Sequence, residues 1–293
     1  MARALVVPAS SGRLAAYVEL AKPGIALVVL MTATAGFLAG SPAGVDRGLL
    51  AATLAGTALA AAGAGALNML LERGSDALMA RTAGRPLPSG RVQARDALAL
   101  GAGASVLGVA SLSVLAHPAA GAAAAATLAL YLFLYTPLKK VSAWCILPGA
   151  VSGALPPLIG YAAASGSVAG PGLTLFAILF LWQLPHIVAL GWLYRDDYAR
   201  AGLRLLPGGE QAGLKTSLLA AGSALLLIPV AVLPMRAGLA GPVYGCGAAI
   251  LSAAYAASAL RFGARRDRGS ARRLFLASIV YVPVLLLLLA AGR

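Results

Sequence analysis

Nine carboxylates are spread over 293 residues, and they converge in two places. In the first, Asn68, Glu72 and Asp76 recur at every fourth position of Asn68-Met-Leu-Leu-Glu72-Arg-Gly-Ser-Asp76. On a continuous helix those positions share one face. An amide oxygen and two carboxylates on one stripe make a hard-oxygen surface suited to Mg²⁺, which takes few protein ligands and completes its shell with water and substrate phosphate. Gly74 and Ser75 weaken the helix here, so Asp76 falls either in its last turn or at the start of a loop. Arg81-Thr-Ala-Gly-Arg85-Pro86-Leu-Pro88-Ser-Gly90-Arg91 comes next. Its prolines and glycines end any helix and stiffen the loop. The arginines have two uses: forking onto phosphate oxygens, or anchoring the loop to lipid headgroups.

The second place is Trp182-Gln183-Leu-Pro185-His186, then Tyr194-Arg195-Asp196-Asp197-Tyr198-Ala-Arg200-Ala-Gly202. Adjacent acids on a helix cannot face the same way, so one of the pair turns to a site and the other to solvent or an arginine; Asp197 is the expected metal-facing one. His186 and Asp197 are eleven residues apart, close to three turns, which predicts a shared face on one helix.

Such groups need a frame, and the composition says which. The chain is 60% apolar and 11% charged, with the apolar residues gathered in blocks of bilayer length. A soluble enzyme, a nucleic-acid reader and a disordered tail are excluded. The net charge of +14 suggests phosphate binding, but the arginines lie between apolar blocks, as a topology signal does. Nine spans are expected, at 24–41, 48–71, 96–116, 119–137, 146–165, 172–194, 214–234, 239–260 and 274–292. The fold is thus an all-α polytopic bundle of two pseudo-equivalent four-helix halves plus a ninth helix. Residues 1–23 read as an interfacial segment without a signal-peptide pattern, and 24–293 as one transmembrane domain.

The count can be tested on the cations. With the N-terminus cytoplasmic, only Arg47, Arg236 and Arg293 fall outside, and the other 20 of 23 lysines and arginines fall inside. Four crossings separate the two acidic clusters, so both emerge on that inner side, where their carboxylates could share Mg²⁺ over one anionic substrate. Runs such as Ala-Ala-Gly-Ala-Gly-Ala at 61–66 predict close helix packing. Cys145 and Cys246 read as small core residues, His117 as a loop residue, and Tyr131, Tyr135, Tyr194 and Tyr198 first as interfacial anchors.

Asn68-x-x-x-Glu72-x-x-x-Asp76 with Met79-x-Arg81-Thr82-x-x-Arg85-Pro86-Leu87 resembles the first acidic motif of the UbiA-type intramembrane prenyltransferases. Tyr135-Thr136-x-Leu138-Lys139, Gly153-Ala154-x-Pro156-Pro157-x-x-Gly160 and the Trp182–Gly202 stretch are similar to the branch that farnesylates haem. The resemblance implies transfer of farnesyl from farnesyl diphosphate to a vinyl group of haem B, with water added, giving haem O. It implies Mg²⁺ as cofactor, with Asn68, Glu72, Asp76 and Asp197 as the catalytic set. Glu72, Asp76 and Asp197 would be the metal ligands, with Asp196 behind them. Arg81, Arg85, Lys139 and Arg195 become diphosphate ligands by analogy. His186 is either a contact to haem iron or propionate, or a span histidine bonded to a neighbouring helix. The resemblance also implies a bacterial cytoplasmic membrane and leaves open an oxidase-assembly or haem A synthase partner. Cys145 departs from it, standing where the family commonly has Asn.

Two rivals share these residues. A prenyltransferase for a quinone or chlorophyll precursor would keep the diphosphate site and change the acceptor. A cation transporter would use the same carboxylates, but transporters place coupling groups near mid-membrane, whereas these lie at span ends.

Overall fold

The computed structural model describes residues 12–208 and 212–292; Arg3, Glu210 and Arg293, counted among the charges of the sequence, lie outside the described residues. No strand occurs among those described. A short α1 (Arg13–Leu20) meets α2 (Pro23–Ala39) at 44°, with Lys22 at the elbow. Then come α3 (Arg47–Ala77), α4 (Ala94–Ser111) prolonged by a π-helical turn at Leu112–Ala116, and α5 (Pro118–Ala129). A second π-helical turn, Leu130–Tyr135, carries α5 into α6 (Thr136–Leu138). One broken span comprises α7 (Ile146–Ala154) and α8 (Pro156–Ser165). The rest are α9 (Gly172–Leu193), α10 (Arg195–Arg200), α11 (Ala212–Ala231), α12 (Leu233–Arg236), α13 (Pro242–Arg265) and α14 (Arg268–Ala291). Among the described residues, eight helical stretches are long and apolar enough to cross a membrane, or nine if the bent α1–α2 pair is one span, in line with the nine expected.

Local chemistry explains where these helices begin. Pro23, Pro118, Pro156 and Pro242 sit in first turns, where a missing N–H costs nothing. Asp46 and Asp267 cap α3 and α14 by accepting from the Leu49 and Ser270 amides. His117 caps α5, its Nδ1 accepting from the Ala119 amide at 3.1 Å.

The length of α3 sets the depth at which its polar residues lie. Its 31 residues span about 46 Å, well beyond the ~30 Å hydrocarbon layer, so its C-terminal turns reach the interface. Gly74 and Ser75 do not break it, and Asp76 is still helical.

Packing relies on backbone contact, as small-residue spans allow. A Cβ on Gly160 of α8 would overlap the Ala33 carbonyl of α2, and one on Gly36 would overlap the Pro157 carbonyl. Helix α3 packs mainly on α4, and α9, α11, α13 and α14 pack mainly among themselves. The broken fifth span joins the earlier helices to the later ones, α7 lying on α9 and α8 on α2 and α5. The break follows from Pro156 and Pro157, which remove backbone donors in mid-span. Of the two cysteines expected in the core, only Cys145 is there; Cys246 is exposed on α13. A small side chain satisfies an outward helix face as readily as a packed one.

Candidate functional site

The last turns of α3 bury their polar stripe: Asn68, Glu72 and Asp76 are 1%, 8% and 1% exposed. Each meets a cation from a different element. Lys22 Nζ donates to Asn68 Oδ1 at 2.5 Å, Lys139 Nζ to Glu72 Oε1 at 2.6 Å, and Arg85 Nη1 to both Asp76 oxygens at 2.9 and 2.8 Å. Burial works against the Lys139 ammonium, yet Tyr135 and Glu72 facing it hold its pKa above the ordinary lysine value. That ammonium also lies 4.2 Å from the Tyr135 ring centre.

In the sequence Lys22 stands out only as an inside charge. Its backbone is left-handed, φ 50°, at the α1–α2 elbow, and its amine reaches the stripe across 46 residues of chain. No local pattern signals that contact.

Thr136 is a second residue to which the sequence assigned no role of its own. Its hydroxyl donates to the Tyr131 carbonyl at 2.7 Å across the π-helical turn, so its oxygen is left to accept from Asn68 Nδ2 at 3.2 Å. A hydroxyl has one hydrogen, so this fixes the amide with its carbonyl oxygen toward Lys22. Beyond Asp76, the Thr82 hydroxyl donates to the Asp76 carbonyl at 2.9 Å and folds the loop back. Arg91 ties that loop to α1 by donating to Glu19 at 2.8 Å and to the Gly84 carbonyl.

The second motif arrives at the same end of the bundle. Met79 packs with Tyr198, Leu203 and Leu205, and the Arg81 guanidinium lies 5.0 Å from the Tyr194 ring centre. Tyr194 and Tyr198 thus join the two motif segments. Burial raises the Tyr198 phenol above its ordinary pKa, against the pull of Arg81 and Lys139. The Arg204 amide donates to the Lys139 carbonyl at 2.6 Å, and the Cys145 thiol to the Arg204 carbonyl at 3.8 Å. Cys145 therefore faces the backbone link between Lys139 and Arg204.

Within α10 the two acids part as adjacent helical residues must. The Asp197 side chain is 15% exposed and paired with Arg200, whereas Asp196 is 83% exposed and meets Arg195 at 3.7 Å. Arg195 lies over the Trp192 ring and makes no ion pair with Glu72 or Asp76.

One expectation is corrected. Helix α9 ends at Leu193 and Tyr194 leaves the helical region, so His186 and Asp197 do not share a helix face. Periodicity cannot be carried across such a break. His186 instead stacks between Trp182 and Phe275, at 5.2 Å from each, and its Nδ1 is 2.7 Å from Ser278 Oγ. That hydroxyl donates to the Phe275 carbonyl at 2.5 Å, so Nδ1 carries the hydrogen and Nε2 keeps a lone pair.

Does this donor set suit Mg²⁺? Among the described residues, no three Asp, Glu, His or Cys side chains gather into a metal cage. The α3 stripe supplies two carboxylates and an amide oxygen, each already matched by a cation. That composition fits a Mg²⁺ ion bound together with phosphate oxygens, and fits poorly an ion bound by protein alone.

The chain is similar to known proteins along nearly its whole length. Residues 29–281 match the model of the UbiA prenyltransferase family. The chain is 45% identical over 273 residues to a protein from Salinibacter ruber named protoheme IX farnesyltransferase, covering 93% of this chain and 96% of that one. It is 40% identical over 286 residues to a protein of the same name from Solibacter usitatus, covering 94% and 98%. Among solved structures, a digeranylgeranylglyceryl phosphate synthase shares the fold with a TM-score of 0.79 at 18% identity, over 96% of this chain and 98% of that one. A UbiA homologue from Archaeoglobus fulgidus, bound to GPP and Mg²⁺, does so with a TM-score of 0.68 at 17% identity, over 94% and 99%.

Proposed function

Because this chain belongs to the UbiA prenyltransferase family, we propose that it farnesylates haem B: the farnesyl group of farnesyl diphosphate passes to a vinyl group, water is added, and haem O and diphosphate result. The names of its relatives support the acceptor. The donor half is carried by one observation, the matching of Asn68, Glu72 and Asp76 with Lys22, Lys139 and Arg85 along one buried stripe.

That arrangement is a set of exchangeable partners. A diphosphate group arriving between the two rows takes the three cations as donors and frees the oxygens of α3. Arg85 can offer its planar fork and Lys139 a point charge, while Arg81 approaches from the Tyr194 side. Glu72 and Asp76, with Asn68 and Asp197, would hold Mg²⁺; Asp196, 83% exposed and turned toward Arg195, is the least suited of the candidate ligands. Bound there, Mg²⁺ supplies Lewis-acid neutralisation of the charge that develops on the departing diphosphate. The cations supply the same kind of stabilisation from fixed positions, which costs no reorganisation as the allylic carbon–oxygen bond breaks. Thr136 keeps the Asn68 oxygen aimed inward. Apolar helix faces exclude water from the allylic cation.

His186 fits a haem contact through the lone pair on Nε2. The charge asymmetry of the loops supports a cytoplasmic N-terminus in a bacterial inner membrane.

The test is direct. Purified protein incubated with haem B, farnesyl diphosphate and Mg²⁺ should yield farnesylated haem by mass, and Glu72→Gln should abolish it. A farnesylated product from 4-hydroxybenzoate and none from haem would replace the acceptor. Loss of ion flux in Glu72→Gln with transfer retained would point to transport.

A further inference from the structure

A cleft of about 880 Å³ lies beside the diphosphate-facing stripe, between the 141–147 segment, α10, the 203–208 loop and the start of α11. Three cations line it, Arg195, Arg204 and Lys215, and no acidic side chain does among the described lining residues. Neither Arg204 nor Lys215 has an ion-pair partner among the described residues, and Arg195 has only exposed Asp196. Arg204 is held in place at its backbone, on one side by the Lys139 carbonyl and on the other by the Cys145 thiol. The rest of the lining is largely apolar, and at its lip Trp144 and Val141 are 72% and 66% exposed. An exposed tryptophan at the start of a span marks the membrane interface, so the cleft opens where an amphipathic molecule would leave the bilayer. Its inner wall includes Tyr198, the residue that also packs on Met79 and feels the charges of Arg81, Lys139 and Glu72.

Cations with no buried acidic partner around an apolar floor ask for a ligand with both features. Free phosphate or diphosphate would satisfy the charges and leave the floor uncovered. We propose that the cleft docks the prenyl acceptor, a broad planar apolar molecule bearing carboxylates, with its ring against Trp144 and the leucines and its carboxylates on Arg204 and Lys215. The inference rests on haem B being the acceptor, in which case the carboxylates are the haem propionates. Donor and acceptor then approach Tyr198 from opposite sides: the diphosphate along α3 and the acceptor from the membrane interface. This also gives the two charge sets different work. The stripe cations face two carboxylates and an amide oxygen that an arriving diphosphate would displace, whereas Arg204 has only the Val141 carbonyl, to which its Nη1 donates at 3.3 Å, to give up and suits a ligand bound without metal.

The experiment uses full-length protein in detergent and the double variant Arg204→Ala/Lys215→Ala, with Arg195 left intact because it is a candidate diphosphate ligand. Haem B binding is followed by its Soret band, and farnesyl transfer by product mass. The double variant should bind haem about tenfold more weakly and raise its KM while leaving the KM for farnesyl diphosphate within about twofold. Haem dimethyl ester, lacking the carboxylates, should bind wild type and variant alike. Unchanged haem affinity in the variant, with wild type still farnesylating haem, overturns the cleft and spares the function. Equal weakening of the ester also overturns it, since the cations would then be acting through structure. Loss of copurifying anionic phospholipid from the variant with haem affinity unchanged would assign the cleft to a lipid headgroup instead. Wild type that neither binds nor farnesylates haem overturns both the cleft and the function.

Discussion

Consider the pair formed by Glu72 and Lys139, buried at the centre of the stripe at 2.6 Å. At an effective dielectric constant of ~20 two charges at that separation attract by about 6 kcal/mol, most of which offsets the cost of taking both from water. The net value of the pair to stability is therefore small, but removing one member strands the other. Glu72→Gln and Lys139→Met should each lower stability by about 3–5 kcal/mol, whereas the double variant should return to within about 1–2 kcal/mol of wild type. Activity should behave differently. If both side chains serve the diphosphate, turnover falls about 100-fold or more in each single variant and stays down in the double. The assays are denaturant titration in mixed micelles and diphosphate release under saturating substrates. A double variant that regains activity with its stability would make the pair structural and refute the exchange of partners. A double variant no more stable than the worse single would refute the coupling itself.

Neighbouring features give further expected outcomes. Thr136→Val should free the Asn68 amide to flip and raise the Mg²⁺ concentration needed for half-maximal activity, while Thr136→Ser, which keeps the hydroxyl, should restore it; equal effects of both would deny the orienting role. Gly160→Ala places a methyl group against the Ala33 carbonyl and should destabilise the protein by about 1–3 kcal/mol, whereas Gly103→Ala, with open space at its Cβ, should not; both are read by denaturant titration. The Ser270 amide donates to Asp267 and holds that carboxyl below its ordinary pKa. The capping contribution is present above the ordinary carboxylate range and is lost as pH falls through the lowered value. The difference in thermal midpoint between wild type and Asp267→Ala should therefore shrink in acid, and a constant difference would exclude the charge.

The acidic stripe and the spans were legible because they are local. Asn68, Glu72 and Asp76 share a face by helical geometry alone, and apolar length with the one-sided distribution of arginine marks the crossings whatever their arrangement. Legibility ended where that continuity was assumed. Tyr194 interrupts the helix between His186 and Asp197, and nothing in the eleven-residue spacing reveals the interruption. The part played by Lys22 was equally hidden, since a lysine before a proline at a span entrance looks like any other inside charge.

The amino-acid order therefore determined which helix face would carry carboxylates and an amide oxygen, which stretches would be long and apolar enough to lie in lipid, and between which stretches charge would collect. Each depends on contacts within a few residues or on composition. Which cation meets which oxygen was decided by the tertiary structure alone. Lys22, Arg85 and Lys139 converge on α3 only because glycine-lined helices let α2 and its neighbours approach backbone to backbone and because an elbow, a folded loop and a π-helical turn aim each side chain. Those placements depend on how separate helices pack, and no spacing along one chain encodes them.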